Sequence, residues 1–373
     1  MFWSAALACL LAIGTAWTPQ PAARAAGYFD LQELVITYQD GEEAILFLSN
    51  QPADFDPGRY GYHLYYLHDT VTFHISAVAE NPANLVAVMD GPNVLIEDEG
   101  AVEFTINVED INDTIGIRVS SGITYNMYSF TVLLGMRGRG TEEEPFQIAS
   151  AEQLALVGRG GAFTSQKHYE LVADIDLGEY LDGPGNNGGK GWSPPDLSGG
   201  SIDGNGHTIS GLWINNTAAN AGFINYLVDA QIRNLHLVLD EDRGIVGDGY
   251  AGGLVYSVSD STIENVTVTG SVKAARTAGG IAASVSGEAS LIANSKFEGT
   301  VETVEEAMWG IGAGGIVGSM SGGMMSEVSA VADVSGIDNV GGLVGMLSSP
   351  AGMTGSHAKG KATGRDKGGG LVG

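Results

Sequence analysis

Cysteine is almost missing from this chain: Cys9 is the only one, and it sits in an apolar stretch at the very start. Without a second thiol there is no disulfide framework and no thiolate set for zinc or redox chemistry. Cations are scarce, with 17 Lys and Arg against 44 Asp and Glu and a formal charge of −27. Such a surface repels phosphate, which excludes nucleic acid as a partner. After the first 25 residues no segment is long and apolar enough to span a bilayer, so the chain is not expected to be an integral membrane protein. Hydrolase signatures are missing too: there is neither Gly-x-Ser-x-Gly nor His-Glu-x-x-His. The C-terminal half also lacks any sustained 3.6-residue apolar period, which argues against long helices there.

What the chain has instead is glycine, 56 residues of it, much of it in one returning phrase. Ala251-Gly252-Gly253-Leu254-Val255 recurs as Ala278-Gly279-Gly280-Ile281, Ala313-Gly314-Gly315-Ile316-Val317 and Val340-Gly341-Gly342-Leu343-Val344, and opens again at Gly369-Gly370-Leu371. The second glycines are 27, 35, 27 and 28 residues apart; the long interval holds an inserted segment, Glu305 to Gly312, with Trp309. A second phrase keeps step with it: Ile232-Arg233-Asn234, Ile263-Glu264-Asn265 and Ile292-Ala293-Asn294, the last two followed by Gly270-Ser271-Val272 and Gly299-Thr300-Val301. Fixed periods of this size mark stacked repeats. Short alternating runs broken by Gly and Asn predict three strands per repeat, each repeat one coil of a parallel β-solenoid. Inward Leu, Ile and Val then form columns, Val266 and Val268 facing in and Thr267 out, while glycine is expected to supply positive φ at the corners.

These repeats resemble the GLUG repeat of bacterial cell-surface proteins, in which Gly-Gly-Leu-Val-Gly alternates with Ile-x-Asn and Gly-x-Val segments. The resemblance runs from about Gly222 to Gly373; Glu327 and Gly355 stand where the other repeats have Asn. It implies a right-handed parallel β-helix of about 27-residue repeats on an exported protein.

Taken in order, residues 1–25 read as a signal peptide, an apolar run ending in Ala23-Arg24-Ala25 with cleavage before Ala26. Residues 26–135 hold alternating strands such as Val71–Ile75, Val102–Val108 and Tyr128–Val132, separated by turns at Asp56-Pro57-Gly58, Asn81-Pro82 and Asp90-Gly91-Pro92. This spacing predicts a β-sandwich, and Phe55-Asp56-Pro57 with the closing Tyr-x-Phe-x-Val strand resembles the cadherin-like domain of bacterial surface proteins. Residues 136–144 read as a linker. In 145–168, Ser150-Ala151-Glu152-Gln153 has capping-box spacing and predicts a short helix over the solenoid's first coil. The solenoid is expected over 169–373, opening on Ala173-Asp174-Ile175-Asp176-Leu177 and Asp203-Gly204-Asn205-Gly206. Its last phrase is cut short at Gly373 without a cap, so further coils are expected beyond it.

Several residue groups carry candidate chemistry. Asp174 and Asp176, two apart on one strand face, can join Asp203 as the acid and base of a polysaccharide-cleaving site, or as calcium ligands; as solvated strand and turn positions they do neither. Asp240, Glu241, Asp242 and Asp248 form an acidic loop without EF-hand spacing. Gly247 to Gly252 fits G-x-G-x-x-G, but a dinucleotide site needs a helix after it and a β repeat follows. His63, His68 and His74 fall on mixed strand faces, which suits no metal set. Asn112, Asn215 and Asn265 sit in glycosylation sequons.

The expectation is therefore an all-β, exported adhesin-like rod at the bacterial cell surface, with no catalytic, cofactor or metal residue in this region. Its marked positions are structural: Gly252, Gly253, Gly279, Gly280, Gly314, Gly315, Gly341, Gly342, Asn234, Asn265 and Asn294. The partner is an extracellular protein or glycan, and calcium is the one cofactor its acidity would suit. The alternatives are a β-helix polysaccharide lyase or hydrolase, and the stalk of a larger secreted peptidase, since GLUG-type repeats also resemble parts of immunoglobulin-A-cleaving peptidases.

Overall fold

The computed structural model describes residues 30–38, 44, 46–48, 51–66, 72–107, 114–216, 220–304, 312–348 and 350–373. The expected signal peptide with Cys9, His68, Asn112, Thr217 of the Asn215 sequon and the inserted segment around Trp309 lie outside the described residues. Among the described residues helix is confined to Ala151–Leu154 and Gly178–Asp182, and the rest of the regular structure is strand.

The N-terminal strands form two sheets. Leu31–Tyr38, Thr72–Ala79 and Ala101–Asn107 pair antiparallel in one. The other has seven strands, with Thr124–Leu134 between Gly61–Tyr66 and Thr114–Ser121. Period-2 alternation turns Phe73, Ile75, Leu64, Ile115, Ile117 and Phe130 into one shared core, as in a β-sandwich. Tyr128 is buried at its end: its hydroxyl donates to the Pro57 carbonyl oxygen at 3.0 Å and accepts the Leu31 N–H at 3.1 Å. Burial pushes that phenol far above its ordinary pKa.

From residue 168 to 369 the chain winds as a β-solenoid of about six turns. Among the described residues, and counting Phe146–Ile148 just ahead of that span, its strands fall in three stacks, a long sheet of 16 strands, a second of six and a third of five, with parallel pairing between the strands of successive coils. Identical positions stack in register: Ile202 on Ile232, Ile263, Ile292 and Met325. A second column runs Leu237, Val268, Phe297, Ala330, and both columns are almost fully buried. Each such aliphatic side chain contributes about 1.5–3 kcal/mol as an upper bound. Val266 and Val268 lie inside and Thr267 does not.

The two glycines of the returning phrase do a different job from the one expected. None of Gly252, Gly253, Gly279, Gly280, Gly314, Gly315, Gly341 or Gly342 is among the residues with positive φ. A Cβ on Gly252, Gly279, Gly314 or Gly341 would overlap the carbonyl oxygen three residues on, and one on Gly253, Gly280 or Gly315 the carbonyl of the next coil. Close backbone approach, not a left-handed corner, demands them. At Gly280 the missing Cβ also leaves room for the Phe297 ring. The left-handed corner is taken by Asn234, Asn265, Asn294, Glu327 and Gly355, with φ of 53°, 53°, 49°, 53° and 59°. Asn tolerates this region best after Gly, and here it adds a ladder: Asn265 Nδ2 donates to Asn234 Oδ1 at 2.9 Å and Asn234 Nδ2 to Asp203 Oδ1 at 3.0 Å.

The parallel ladder starts ahead of residue 169. Phe146–Ile148 already pairs with His168–Leu171, Phe146 and Ile148 pointing inward. Ser150 caps the helix Ala151–Leu154 by accepting the Gln153 N–H at 3.3 Å, and Gln153 Oε1 reaches back to the Ala149 N–H at 2.8 Å. Residues 136–144 are not a free tether. Met136 is buried in the solenoid core, Arg137 bridges Gln147, and the buried Gln153 amide donates to the Gly135 carbonyl at 2.8 Å. Arg139 and the tip from Thr141 to Glu144 are exposed.

Candidate functional site: a polar groove over the first coils

Along the long sheet, Ile202, Ile232 and Ile263 point inward, so their neighbours Asp203, Arg233 and Glu264 point outward. Parallel register sets Gln147, Glu170, Asp203, Arg233 and Glu264 side by side on successive strands. A parallel row one step along the strands holds His168, Ser201 and Gln231. Over them lies a groove of about 370 Å³, lined also by Glu142, Glu143, Pro145, Gly199, Gly200 and Asp229.

The groove's polar groups bond to one another. Gln147 Nε2 donates to Glu170 Oε1 at 3.1 Å, and His168 Nδ1 lies 2.8 Å from Ser201 Oγ. Arg233 Nε donates to Asp203 Oδ2 at 2.8 Å, while the Asn205 N–H and Asn234 amide share Asp203 Oδ1. Burial works to raise the Asp203 pKa, but the bonds from Asn234, Asn205 and Arg233 outweigh it and hold the carboxyl below its usual range. A general acid at neutral pH needs the opposite shift. Five carboxylates (Glu142, Glu143, Glu170, Asp203, Asp229) against the Arg233 guanidinium leave the groove acidic.

Of the three candidate acids, only Asp203 reaches this groove. Asp174 accepts the Thr208 N–H at 2.9 Å and lies 3.2 Å from His207 Nδ1, contacts that lower its pKa. Asp176 turns to the Gly178 N–H at 2.9 Å, opening the helix Gly178–Asp182. No hydrogen bond joins any two of the three. The acidic loop is organised by a residue the sequence reading passed over: Arg243 bonds Asp240 and Asp182, each at 2.7 Å, and lies over the Trp213 ring at 4.5 Å. The bonds from Arg243 hold the Asp240 carboxyl low. Gly247 to Gly252 spans two strands, Ile245–Gly247 and Tyr250–Gly252, with no helix after them. His74 Nδ1 pairs with Thr105 Oγ1 at 2.7 Å, on the sandwich. Among the described residues no three His, Cys, Asp or Glu side chains gather as a metal site, and no helix is long and apolar enough to cross a membrane.

No family model matches the chain. Halomucin of Haloquadratum walsbyi is 31% identical over 179 residues, covering 46% of this chain and 2% of that protein. The “Putative Gly-rich membrane protein” of Evansella cellulosilytica is 38% identical over 113 residues, covering 28% of this chain and 12% of that protein. The chain thus matches only a small part of either relative's length. Among solved structures, a “putative immunoglobulin A1 protease” from Bacteroides ovatus is similar at TM-score 0.48 and 22% identity, over 63% of this chain and 72% of that one.

Proposed function

We propose that this chain is part of an exported surface rod, a cadherin-like sandwich of residues 26–135 leading into a GLUG-type solenoid, which holds an extracellular ligand rather than transforming it. The observation that carries this reading is the groove's internal bonding. Asp203, its most deeply engaged carboxylate, has three hydrogen-bond donors and a lowered pKa, a group suited to fixing a surface and unsuited to giving up a proton. The name of the Evansella relative, a Gly-rich membrane protein, is in keeping with a place at the cell boundary. The ligand that suits the groove is a hydroxyl-rich or cationic extracellular chain, met by Glu142, Glu143, Glu170 and Gln231.

The test presents the purified chain to arrays of extracellular glycans and matrix proteins, beside a variant carrying Glu170→Ala and Arg233→Ala. Capture of a ligand by the parent and its loss in the variant support the reading. Shortening of any polysaccharide by the parent, abolished by Asp203→Asn, would replace it with the lyase or hydrolase alternative.

A further inference from the structure

A second surface, on the next sheet, carries aromatic side chains that the fold does not require. Tyr226 lies in the strand Ile224–Val228 and is 43% exposed. Its register neighbours on the following coils are Ser257, Ser284 and Ser319. Small polar residues therefore suffice at this position, and a phenol there places apolar area in water that a serine would not. The ring is nevertheless held. Tyr256, one coil on, meets it edge to face, with centroids 5.3 Å apart and planes at 71°. Tyr250 meets Tyr256 in the same way at 5.8 Å and 63°. Edge-to-face contact leaves the faces of the edge-on ring open while fixing its direction. Beside Tyr226, Asn225 Nδ2 donates to Asp196 Oδ1 at 2.9 Å, so an amide and an exposed carboxylate flank the rings.

We propose that Tyr226 and Tyr256, with Asn225 and Asp196, form a stacking subsite for a neutral polysaccharide. A pyranose ring presents an apolar C–H face and a rim of hydroxyls. The first matches an oriented, half-exposed phenol ring, and the second matches the Asn–Asp pair and the Ser257 hydroxyl. Neutrality follows from charge: Asp196 at the site and a chain charge of −27 repel uronates and other polyanionic sugars. Arg276 lies over the Tyr250 ring at 5.9 Å. The subsite goes beyond the groove reading and stands or falls separately from it.

Affinity electrophoresis of the whole chain through gels containing glucan, xylan or mannan, with polygalacturonate as the anionic control, reads this directly. The parent should be retarded by at least one neutral polymer and not by polygalacturonate. Tyr226→Ser, which installs the neighbouring coils' residue, should weaken retardation by about tenfold, a difference equivalent to losing one stacked ring. Tyr226→Phe should keep it; both variants should fold, with Tyr226→Ser melting only slightly below the parent for loss of the Tyr256 contact. Absence of retardation in every neutral gel, retardation by polygalacturonate alone, or equal retardation of parent and Tyr226→Ser overturns the subsite. The groove variant with Glu170→Ala and Arg233→Ala in the same gels separates the two surfaces: its loss of retardation alongside an unchanged Tyr226→Ser assigns the polymer to the groove and overturns the proposal.

Discussion

Ser295 Oγ accepts the backbone N–H of Val266, one coil away, at 3.1 Å, and donates its own proton to the carbonyl oxygen of Ala293 at 2.6 Å. The hydroxyl is buried and closes a corner that the strands leave open. Ser356 serves the Val328 N–H in the same way, and Ser261 the Ala230 N–H. Replacing Ser295 by Ala leaves a buried N–H without a partner and should cost about 1–3 kcal/mol. Thr269→Ala on the outer face should stay within about 0.5 kcal/mol. Denaturant midpoints of the two variants, and amide exchange at Val266, check both.

The inside and outside of the long sheet can be tested one residue apart. Val266→Asp places a charge in the column between the sheets and should cost several kcal/mol, about the range for an unpaired buried group. Thr267→Asp should change stability little. Equal melting of the two variants would contradict the register.

Gly280 and Asn265 should respond in opposite ways. Gly280→Ala puts a methyl group into the Gly315 carbonyl and the Phe297 ring, so the coil must open. Asn265→Gly keeps the left-handed corner at φ 53° and loses only the amide's bond to Asn234, a change of about 1 kcal/mol or less. Circular dichroism and calorimetry on the pair distinguish close approach from corner conformation as the reason for each residue.

Asp203 should make stability depend on acidity in one direction. Its folded pKa lies below the unfolded value, so the folded state binds fewer protons in that range. The stabilisation is present above the unfolded carboxyl pKa and is lost as pH falls through the folded one. Asp203→Asn should therefore be less stable than the parent at pH 7, and the gap should close on acidification below pH of about 4. A gap that widens in acid would reverse the assigned shift.

The exposed tip from Thr141 to Glu144 should be the first site cut by a glutamate-specific protease. The pieces should stay together on gel filtration until denaturant is added, because Met136 is seated in the solenoid core and Gln153 holds the Gly135 carbonyl. Separation of the pieces in native buffer would show that these contacts do not suffice.

The residues legible from sequence are those whose partner is fixed by period. Ile232, Ile263 and Ile292 repeat, alternate with polar neighbours and so announce a buried column. The Asn of each Ile-x-Asn phrase likewise announces a corner. The paired glycines announced a constraint without its kind, because the carbonyls they avoid, three residues on for the first and in the next coil for the second, come close only in the fold. Ser295, Arg243 and the groove were opaque for the same reason: a serine among serines gives no sign that the N–H it serves is 29 residues away. The first rung, Phe146–Ile148, is three residues long and lies before the repeats begin, too short for alternation to stand out.

The coil-on-coil pairing also makes the solenoid a ruler with coarse divisions. Each coil advances the rod by one strand spacing, about 4.8 Å, and the glycine phrases are 27 to 35 residues apart. A residue therefore adds about 0.17 Å of length, against about 3.3 Å in an extended chain. Reach is given up almost twentyfold in return for stiffness. Length can then change only in whole steps: gain or loss of a complete coil preserves every column, whereas one extra residue inside a strand would turn that strand's interior outward. The spacing between whatever lies at the two ends of such a rod is quantised, and the solenoid sets it by counting coils.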